Sequence, residues 1–325
     1  MKKILIIGGA GFIGFHLAKK LSDNYHIDLI DDFSRGTKDV ELKELLKKKN
    51  VKLIKLNLLK NNFKINKISK KYTYIFHLAA IVGVKNVLNT PYQVLTKNIN
   101  LLEKAIIIGK NQLRLQRFIF ASSSEVYYGT LKNYGLKFPT SENTILSTLD
   151  LSDKRGTYML SKIYGEAMCR LSELPFTILR PHNFYGPRMG LSHVIPELCK
   201  KVFYSKNKKV KVYSSDHKRN FCYIDDGVNL ILTLIKSKKS LRKTFNIGSN
   251  LKDITIKSLV KIIIKLSGKK LKIIDAKDIH NSPTRRLPNV SKALAITNYN
   301  YQYSLEKGVA KTFNWYKKNI FKNAK

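Results

Sequence analysis

The sequence predicts an α/β protein built on a doubly wound parallel sheet, with a smaller, interleaved second domain. Short β-branched strands alternate with helical patterns over about the first 120 residues, as expected for parallel strands joined by helices. The chain has 325 residues, about twice the length of a typical domain, and 43% of them are hydrophobic, which is enough for a large core. After about residue 180 the alternation breaks into short segments and loops, which marks the second domain.

The predicted elements of the first part follow one another in a regular order. Six strands are predicted, at Ile4–Ile7, His26–Ile30, Val51–Leu56, Tyr74–His77, Arg117–Ala121 and Phe176–Leu179. Helical patterns follow the first strand up to Leu21 and recur at Tyr92–Ile108 and Tyr158–Leu171. Their spacing places the amphipathic helices between consecutive strands, as in βαβ units.

Composition excludes several classes of protein. Three cysteines, Cys169, Cys199 and Cys222, share no metal-ligand spacing and cannot form a disulfide framework, so we expect no metal and a cytoplasmic location. No apolar run reaches the roughly 18–20 residues that span a bilayer. The basic, apolar amino terminus resembles a signal peptide, but regularly spaced glycines interrupt it and no cleavage site follows.

The formal net charge of +39 is extreme, with 61 basic against 22 acidic residues. Most of the basic residues are lysines scattered along the whole chain, whereas a nucleic-acid surface concentrates charge and favours arginine. We therefore interpret the charge as compositional drift on a solvated surface and expect no nucleic-acid partner. Attraction of polyanions such as nucleotide diphosphates, RNA or an anionic membrane surface is the alternative.

A glycine-rich turn follows the first predicted strand. Gly8 permits a tight turn, Gly11 lets backbone amides approach a diphosphate, and Gly14 allows close packing of helix on strand. The helix begins at Phe12 and Ile13, where free amides and the positive end of the helix dipole attract phosphates. The pattern predicts a Rossmann dinucleotide site.

An acidic pair ends the second predicted strand. Asp31 lies 17 residues after Gly14, where a carboxylate binds the adenosine ribose hydroxyls, and Asp32 follows it. A carboxylate at this position repels a 2′-phosphate, so the sequence favours NAD over NADP. Arg35 is close enough to weaken that preference.

A Tyr-x-x-x-Lys pair places a phenol and an ammonium one helical turn apart, where the ammonium lowers the tyrosine pKa so that the phenolate works as a base. The spacing occurs four times, at Tyr128/Lys132, Tyr158/Lys162, Tyr204/Lys208 and Tyr303/Lys307. With 17 tyrosines and so many lysines, several pairs arise by chance. Only Tyr158 and Lys162 begin a helix between the fifth and sixth strands, after Ser123 at the sheet edge where ligands bind. We interpret the other three pairs as surface features.

Together these features resemble the extended short-chain dehydrogenase/reductase family, specifically its nucleotide-sugar epimerases, dehydratases and decarboxylases. The resemblance covers essentially the whole chain. Its motifs are GGAGFIG at 8–14, Asp31, HLAA at 77–80, SSSEVY at 122–127, Tyr158/Lys162, NFYGPR at 183–188, RNFCYIDD at 219–226 and FNIG at 245–248. It implies that residues 1–180, with return segments near 220–250, form the NAD-binding Rossmann domain, and that 181–325 form most of the substrate-binding domain.

The resemblance also implies roles for individual residues. Tyr158 is the base, Lys162 also holds the nicotinamide ribose, and Ser123 hydrogen-bonds the sugar 4-hydroxyl; Ser124 and Glu125 complete the catalytic set. The cofactor-binding residues that it implies are Gly8, Gly11, Phe12, Ile13, Gly14, Asp31, Asp32, Asn57, Leu78, Ala79, Ala80, Asn98, Tyr158 and Lys162. Asn57 replaces the aspartate often found beside the adenine, and an extra Tyr128 in SSSEVYYG departs from the usual VYG.

On the substrate side the resemblance implies a nucleotide-diphosphate sugar. The residues that it assigns there are Asn183, Arg188, His193, Val194, Arg219, Tyr223 and Arg286. Arg219 suits the diphosphate, since guanidinium groups bind phosphate in two-point geometry. His193 and Val194 lie in a segment that shapes the nucleotide pocket.

The resemblance implies oxidation of the sugar at C4, and the reaction then depends on the fate of the resulting 4-ketone. Ser-Ser-Glu at 123–125, together with Arg286 for a substrate carboxylate, favours decarboxylation of a UDP-hexuronate. A 4-epimerase is the alternative, then a 4,6-dehydratase, for which Ser124 stands where the dTDP-glucose type has aspartate. A member of a different class, an RNA-binding relative without turnover, would not need Tyr158. Relatives usually dimerise, so a homodimer is expected.

Overall fold

The structure is a computed structural model that describes residues 1–60, 64–276 and 282–322, without the side chain of Lys67. The strands are β1 Lys3–Ile7, β2 His26–Asp31, β3 Val51–Lys55, β4 Tyr72–His77, β5 Arg117–Ala121, β6 Phe176–Pro181, β7 Phe184–Tyr185, β8 Lys209–Tyr213, β9 Lys218–Arg219, β10 Cys222–Tyr223, β11 Lys243–Ile247, β12 Ile254–Thr255, β13 Lys272–Ala276 and β14 Arg285–Arg286. The α-helices are α1 Phe12–Leu21, α2 Val40–Leu46, α3 Val84–Asn89, α4 Pro91–Lys110, α5 Tyr128–Tyr134, α6 Gly156–Leu171, α7 Val194–Tyr204, α8 Ile224–Lys236, α9 Ile256–Ser267, α10 Ser291–Thr297 and α11 Leu305–Tyr316. Single turns of 3₁₀ helix lie at Ile65–Lys67, Ser124–Tyr127 and Lys238–Ser240, and a π-helical turn lies at Lys317–Phe321.

Seven strands form one parallel sheet in the order β11-β6-β5-β4-β1-β2-β3. Helices cover both of its faces, so strands such as β1 (KILII) and β5 (RFIFA) are nearly continuous apolar runs. The order of the strands reverses between β1 and β4, and this is where parallel sheets bind ligands. The predicted fold class, a doubly wound parallel sheet, is confirmed.

The residues after Pro181 form small sheets around long helices. β7 pairs with β10, β8 with β13, and β9 lies between β12 and β14. The parallel register of β14 on β9 places Arg286 beside Arg219, two predicted substrate residues that are far apart in sequence.

The two parts of the molecule share one core. β11 returns to the edge of the large sheet beside β6, and α8 packs against α1. One continuous cluster of buried side chains runs from Ile4 and Phe76 in the sheet to Val309 and Phe313 in α11. Among the helices of the described residues, none combines the length and the apolar character needed to cross a bilayer.

Candidate active site

The glycine turn after β1 is built for close approach of backbone. Gly8 has φ +86°, a left-handed conformation that favours glycine, and a Cβ there would lie 2.8 Å from the amide nitrogen of Ala79. A Cβ on Gly14 would lie 2.3 Å from the carbonyl oxygen of Gly8. The turn therefore packs directly on the segment after β4, at the point where the strand order reverses.

The helix that follows the turn presents its amino terminus to this crevice. α1 starts at Phe12 after Gly11, and no side chain caps it. Its first-turn amides, including those of Phe12 and Ile13, are the donors that a helix start offers to an anion. This backbone cradle fits the diphosphate of a dinucleotide.

Asp31, at the end of β2, holds the glycine turn. Its carboxylate accepts hydrogen bonds from the amides of Ala10 (2.9 Å) and Phe33 (2.8 Å). Burial raises its pKa, although these two amides oppose the shift. Asp32 accepts a hydrogen bond from the amide of Ser34 in the same loop. Ribose binding by Asp31 stays a prediction.

The remaining predicted cofactor residues surround this crevice. Leu78 and Ala79 donate their amides to the carbonyl oxygen of Ile7, which fixes the segment up to Ala80 against β1. Asn98, on α4, brackets Ile81 by accepting from its amide (2.7 Å) and donating to its carbonyl (3.1 Å). Asn98 therefore positions the loop after β4. Asn57 accepts a hydrogen bond from the amide of Leu59.

Tyr158 and Lys162 lie on the first turns of α6 and face the end of β5. The Tyr158 hydroxyl is hydrogen-bonded to the side chain of Ser123. The Lys162 ammonium donates to the carbonyl oxygen of Ala121 (2.7 Å) and lies 5.7 Å from the centroid of the Tyr158 ring. The structure thus brings the predicted base, its lysine and the predicted serine together.

The lowered tyrosine pKa that the pair predicts is not found. Burial raises the pKa of Tyr158 to about 12, and nearby Glu125 adds to the shift, while Ser123 and Arg35 oppose it. Burial also lowers the pKa of Lys162 to about 8, because the low-dielectric surroundings disfavour the ammonium. Desolvation is therefore the larger effect on both groups.

Glu125 and Arg286 form an ion pair at the same edge of the sheet. Their side chains meet at 2.6 Å and are both partly exposed. The Ser123 hydroxyl accepts from the Glu125 amide at 3.1 Å, which sets the start of the 3₁₀ turn that carries Ser124 and Glu125. Arg286 comes from β14, so this pair joins segments 161 residues apart.

A small cavity adjoins this pair. It is a small, half-open pocket of about 20 Å³, lined mainly by apolar groups, and its wall includes Ser124, Tyr128 and Arg286. Interpreting Tyr128 as a surface feature is wrong, because the side chain is only 7% exposed and packs on Leu149 and Met159.

A larger cleft, of about 550 Å³, lies on the substrate side. Four of its lining residues, Asn183, His193, Val194 and Arg219, were predicted to bind substrate. Asn183 has φ +41° and donates its side-chain amide to the carbonyl oxygen of Asn220, which fixes it on the wall. Arg155 and Lys201 also line the cleft, and because Lys201 pairs with Glu197 of the same wall at 2.7 Å, the two arginines supply its net positive charge. The arrangement suits a phosphorylated ligand.

Arg155 was missed by sequence reasoning. It immediately precedes α6 and lies three residues before Tyr158. The helix predicted at Tyr158 therefore indicated that Arg155 lies near the site. Nothing in its local pattern distinguished it from the other exposed cations of this lysine-rich chain.

Two predicted substrate residues, Arg188 and Tyr223, are not among the described residues that line the cleft. The Arg188 guanidinium is buried on the ring of Phe15 and pairs with Asp39 at 2.5 Å, so it links the two parts of the molecule. Tyr223 is 5% exposed and packs against Tyr185 and Tyr303 in the core. Buried charges need a partner, and Arg188 has it in Asp39 rather than in a ligand.

Comparison with known proteins agrees with this geometry. The model of the NAD dependent epimerase/dehydratase family matches residues 4–248. The chain belongs to this family. The predicted resemblance is therefore confirmed, and so is NAD as the cofactor.

Individual relatives of the epimerase/dehydratase family span nearly the whole chain. An uncharacterised UDP-glucose epimerase, YtcB of Bacillus subtilis, is 31% identical and covers 94% of this chain and 95% of its own length. A UDP-N-acetyl-alpha-D-glucosaminuronate decarboxylase of Bacillus cytotoxicus is 30% identical, and the match covers 97% of this chain and 98% of the decarboxylase. The crystal structure of UDP-glucuronic acid 4-epimerase from Bacillus cereus, in complex with UDP-glucuronic acid and NAD, is 28% identical with a TM-score of 0.85, covering 97% of this chain and 99% of that one.

Proposed function

We propose that this family member oxidises the sugar of a UDP-hexuronate at C4 and then removes the sugar carboxylate as carbon dioxide. The observation that carries the proposal is the contact between Glu125 and Arg286, beside Ser123 and Tyr158. An arginine that can exchange one carboxylate partner for another is suited to a substrate carboxylate. Relatives whose names include a uronate, such as the Bacillus cytotoxicus decarboxylase, support this substrate class.

Tyr158 starts the reaction as general base. It takes the proton of the C4 hydroxyl, which Ser123 holds by a hydrogen bond, and later returns it. Bound NAD supplies reversible oxidation at C4, held by the glycine turn, the start of α1 and Lys162. Because the pKa of Tyr158 is raised to about 12, the base depends on a neighbouring positive charge to populate its phenolate.

The 4-ketone makes the carboxylate labile. The carboxylate on C5 is β to the ketone, so the C5–C6 bond breaks with its electron pair delocalised onto the ketone oxygen. Arg286 holds the departing carboxylate, and Glu125 with Ser124 supplies a proton route to C5. The sum is UDP-hexuronate plus one proton giving UDP-pentose plus carbon dioxide.

The cationic cleft is proposed to hold the UDP group. Arg219 and Arg155 offer guanidinium groups to the diphosphate, and Asn183 lies beside them in the wall. Arg219 sits next to Arg286 across the β9–β14 register, so a diphosphate at the first would place the sugar near the second.

UDP-glucuronate 4-epimerisation is the second candidate, favoured by the fold match to the Bacillus cereus enzyme. It needs only rotation of the ketone within the site and return of the hydrogen to the other face. 4,6-Dehydration is the third candidate, since Ser124 supplies no acid at the position where the dTDP-glucose dehydratases have aspartate.

We further propose that the protein is a cytoplasmic homodimer. α4 and α6 pack on each other within the chain and leave large apolar side chains outside. Tyr92, Tyr164 and Leu171 are 76%, 56% and 82% exposed on these helices. A second copy that covered them would remove an apolar surface from water.

The deciding experiment incubates the purified protein with NAD and UDP-glucuronate labelled with ¹³C at C6, and follows the products by NMR. We expect labelled carbon dioxide and a UDP-pentose. C4 inversion with the label retained would establish the epimerase instead, and a panel with UDP-N-acetylglucosaminuronate, UDP-glucose, dTDP-glucose and GDP-mannose covers other substrates.

Arg286→Gln provides the residue-level test. Losing a hydrogen bond to a charged partner costs about 1.5–3 kcal/mol, so kcat/KM for the uronate should fall about 10–100-fold. Arg285→Gln is the matched control, since Arg285 is the adjacent residue and pairs with Asp253 away from Glu125. Equal losses in the two variants would contradict the carboxylate role of Arg286.

A further inference from the structure

A buried polar network adjoins the active site, and the family resemblance assigns no role to any of its members. We call it the Arg180 cluster: Ser122, Tyr127, Glu166, Arg180 and Asn246. Arg180 and Glu166 are 3% and 4% exposed and meet in a two-point contact, with both N–O distances 2.8 Å. Neither residue is among the described residues that line the two cavities, whereas Tyr127 lies in the wall of the small one with Ser124 and Arg286.

Hydrogen bonds extend the ion pair in both directions. The Ser122 hydroxyl donates to Glu166 at 2.6 Å. On the other side, Arg180 donates to the Tyr127 hydroxyl at 2.7 Å, and that hydroxyl donates to Asn246 at 2.8 Å. Charge and hydrogen-bonding capacity are therefore matched across the cluster, as a buried network requires.

The cluster contacts three segments of the proposed site, which carry Ser123 to Glu125, Tyr158 with Lys162, and Arg286. Ser122 and Tyr127 flank the run from Ser123 to Glu125 on both sides. Glu166 lies one helical turn after Lys162 on α6, so its ion pair with Arg180 anchors the helix that carries Tyr158.

The third contact reaches the segment of Arg286. The Asn246 side-chain amide donates to the carbonyl oxygens of Thr140 (2.9 Å) and Asn289 (3.2 Å). Thr140 in turn donates its amide to the carbonyl oxygen of Leu287, the residue after Arg286. A continuous chain of hydrogen bonds thus runs from Glu166 on the tyrosine helix to the segment of Arg286, by way of Arg180, Tyr127, Asn246 and Thr140.

Stability alone is a poor reason for such a cluster. Replacing a buried ion pair by apolar side chains of similar volume is often neutral or stabilising, because both charges lose their hydration in the fold. We infer that Glu166, Arg180 and Tyr127 are positioning residues, which hold the Glu125–Arg286 pair in register with Tyr158 and Lys162. The inference rests on the proposed function in one respect. The proposed function identifies the step that needs this alignment, which is the one that follows oxidation at C4.

Two conservative variants test the inference. Tyr127→Phe removes the hydroxyl that connects Arg180 to Asn246, and Arg180→Lys keeps the charge but loses the two-point contact. We expect either variant to shift Glu125 and Arg286 relative to Tyr158 and so to reduce kcat about 10–100-fold. KM should change by no more than about threefold. Because the step after C4 oxidation is the one misaligned, single-turnover absorbance at 340 nm should show a larger and longer-lived transient than in the wild type.

Two matched controls separate positioning from stability. Arg117 is a buried arginine that donates to Thr177 (2.8 Å) and Ser240 (2.7 Å) at the start of β5, the edge away from the site. Tyr72 is a buried tyrosine that donates to Asp28 at the start of β4. Arg117→Lys and Tyr72→Phe should lower the melting temperature as much as their counterparts without changing kcat or the transient.

The inference is overturned if the cluster variants show the same kcat and transient as these controls. The substrate in this experiment is whichever nucleotide sugar the wild type oxidises, so failure of UDP-glucuronate contradicts the proposed function alone. A crystal structure of Tyr127→Phe gives a measurement without turnover. We expect the Glu125–Arg286 contact to be lost or spread over several conformers, and an unchanged contact would also overturn the inference.

Discussion

The cofactor part and the substrate part of the molecule are built in different ways. The dinucleotide cradle comes mostly from one stretch of about 25 residues and works through backbone: a left-handed Gly8, free amides at the start of α1, and an Asp31 that braces the turn. The substrate part instead brings together side chains from distant segments, such as Ser124, Asn183 and Arg286. A site made of local backbone is fixed by sequence pattern, whereas a site made of distant side chains depends on the register of the whole fold.

The largest expected effect falls where the two parts meet. Tyr158→Phe removes the proposed base that faces both cofactor and sugar, and should lower kcat by about 10³-fold, within the usual range for loss of a general base. NAD affinity should stay within about twofold, because the cradle is backbone. Steady-state kinetics and calorimetric titration with NAD check the two expectations.

Tyr204→Phe is the control for this variant. Tyr204 has the same spacing to a lysine, but its hydroxyl donates to the carbonyl oxygen of Phe321 in the substrate part. Normal turnover by Tyr158→Phe, or a comparable loss in Tyr204→Phe, would show that the base was misassigned.

A smaller effect, on NAD affinity, is expected from a substitution in the glycine turn. Gly11 has φ −71°, and a Cβ there would lie 3.3 Å from the carbonyl oxygen of Gly8, so Gly11→Ala fits the fold with a slight adjustment. The same methyl group would stand where a diphosphate approaches, and NAD affinity should fall about 10–100-fold, or about 1.4–2.7 kcal/mol.

Gly190→Ala is the matched control in the substrate part. A Cβ there would make ordinary contact with the His193 ring, 3.5 Å away, and NAD affinity should not change. Titration calorimetry with NAD measures both variants. If Gly11→Ala binds NAD as tightly as the wild type, the diphosphate does not lie against this turn.

The smallest effect on activity is expected at the link between the two parts. Arg188→Ala leaves Asp39 without its buried partner and should reduce the free energy of unfolding by about 2 kcal/mol, since Asp39 is partly exposed and loses less than a fully buried charge. The KM for the nucleotide sugar should not change. Urea unfolding and steady-state kinetics separate these outcomes, and a raised KM with unchanged stability would restore Arg188 to the substrate site.

The sequence predicted the cofactor part of the molecule better than the substrate part. The glycine turn and the element order were predictable, because local residue types and periodicity determine them: the helix predicted at Tyr92–Ile108 is α4, Pro91–Lys110. The burial of Arg188 and Tyr223 was not predicted, because a motif gives the position of a residue in the chain but not the direction of its side chain. Arg155 was missed for a related reason, since only the folded cleft distinguishes it from other cations.

The pKa of Tyr158 shows a further limit. Helical spacing correctly placed an ammonium near the phenol, yet it carried no information about burial, which decides the direction of the shift. Desolvation depends on everything that surrounds a group, so it becomes visible only with the complete fold.

The late return of β11 has a consequence for how this chain is made and how it could be recombined. Until residue 247 leaves the ribosome, β6 remains an open edge with unpaired amides and carbonyls, which is the kind of surface that associates with other chains. A single cut near residue 180 would leave the same edge bare in the shortened product. Exchange of the substrate part between homologues therefore calls for three junctions, one after β6 and one on each side of β11, so that the seventh strand stays with its own sheet while β8 and β9 keep their partners β12, β13 and β14.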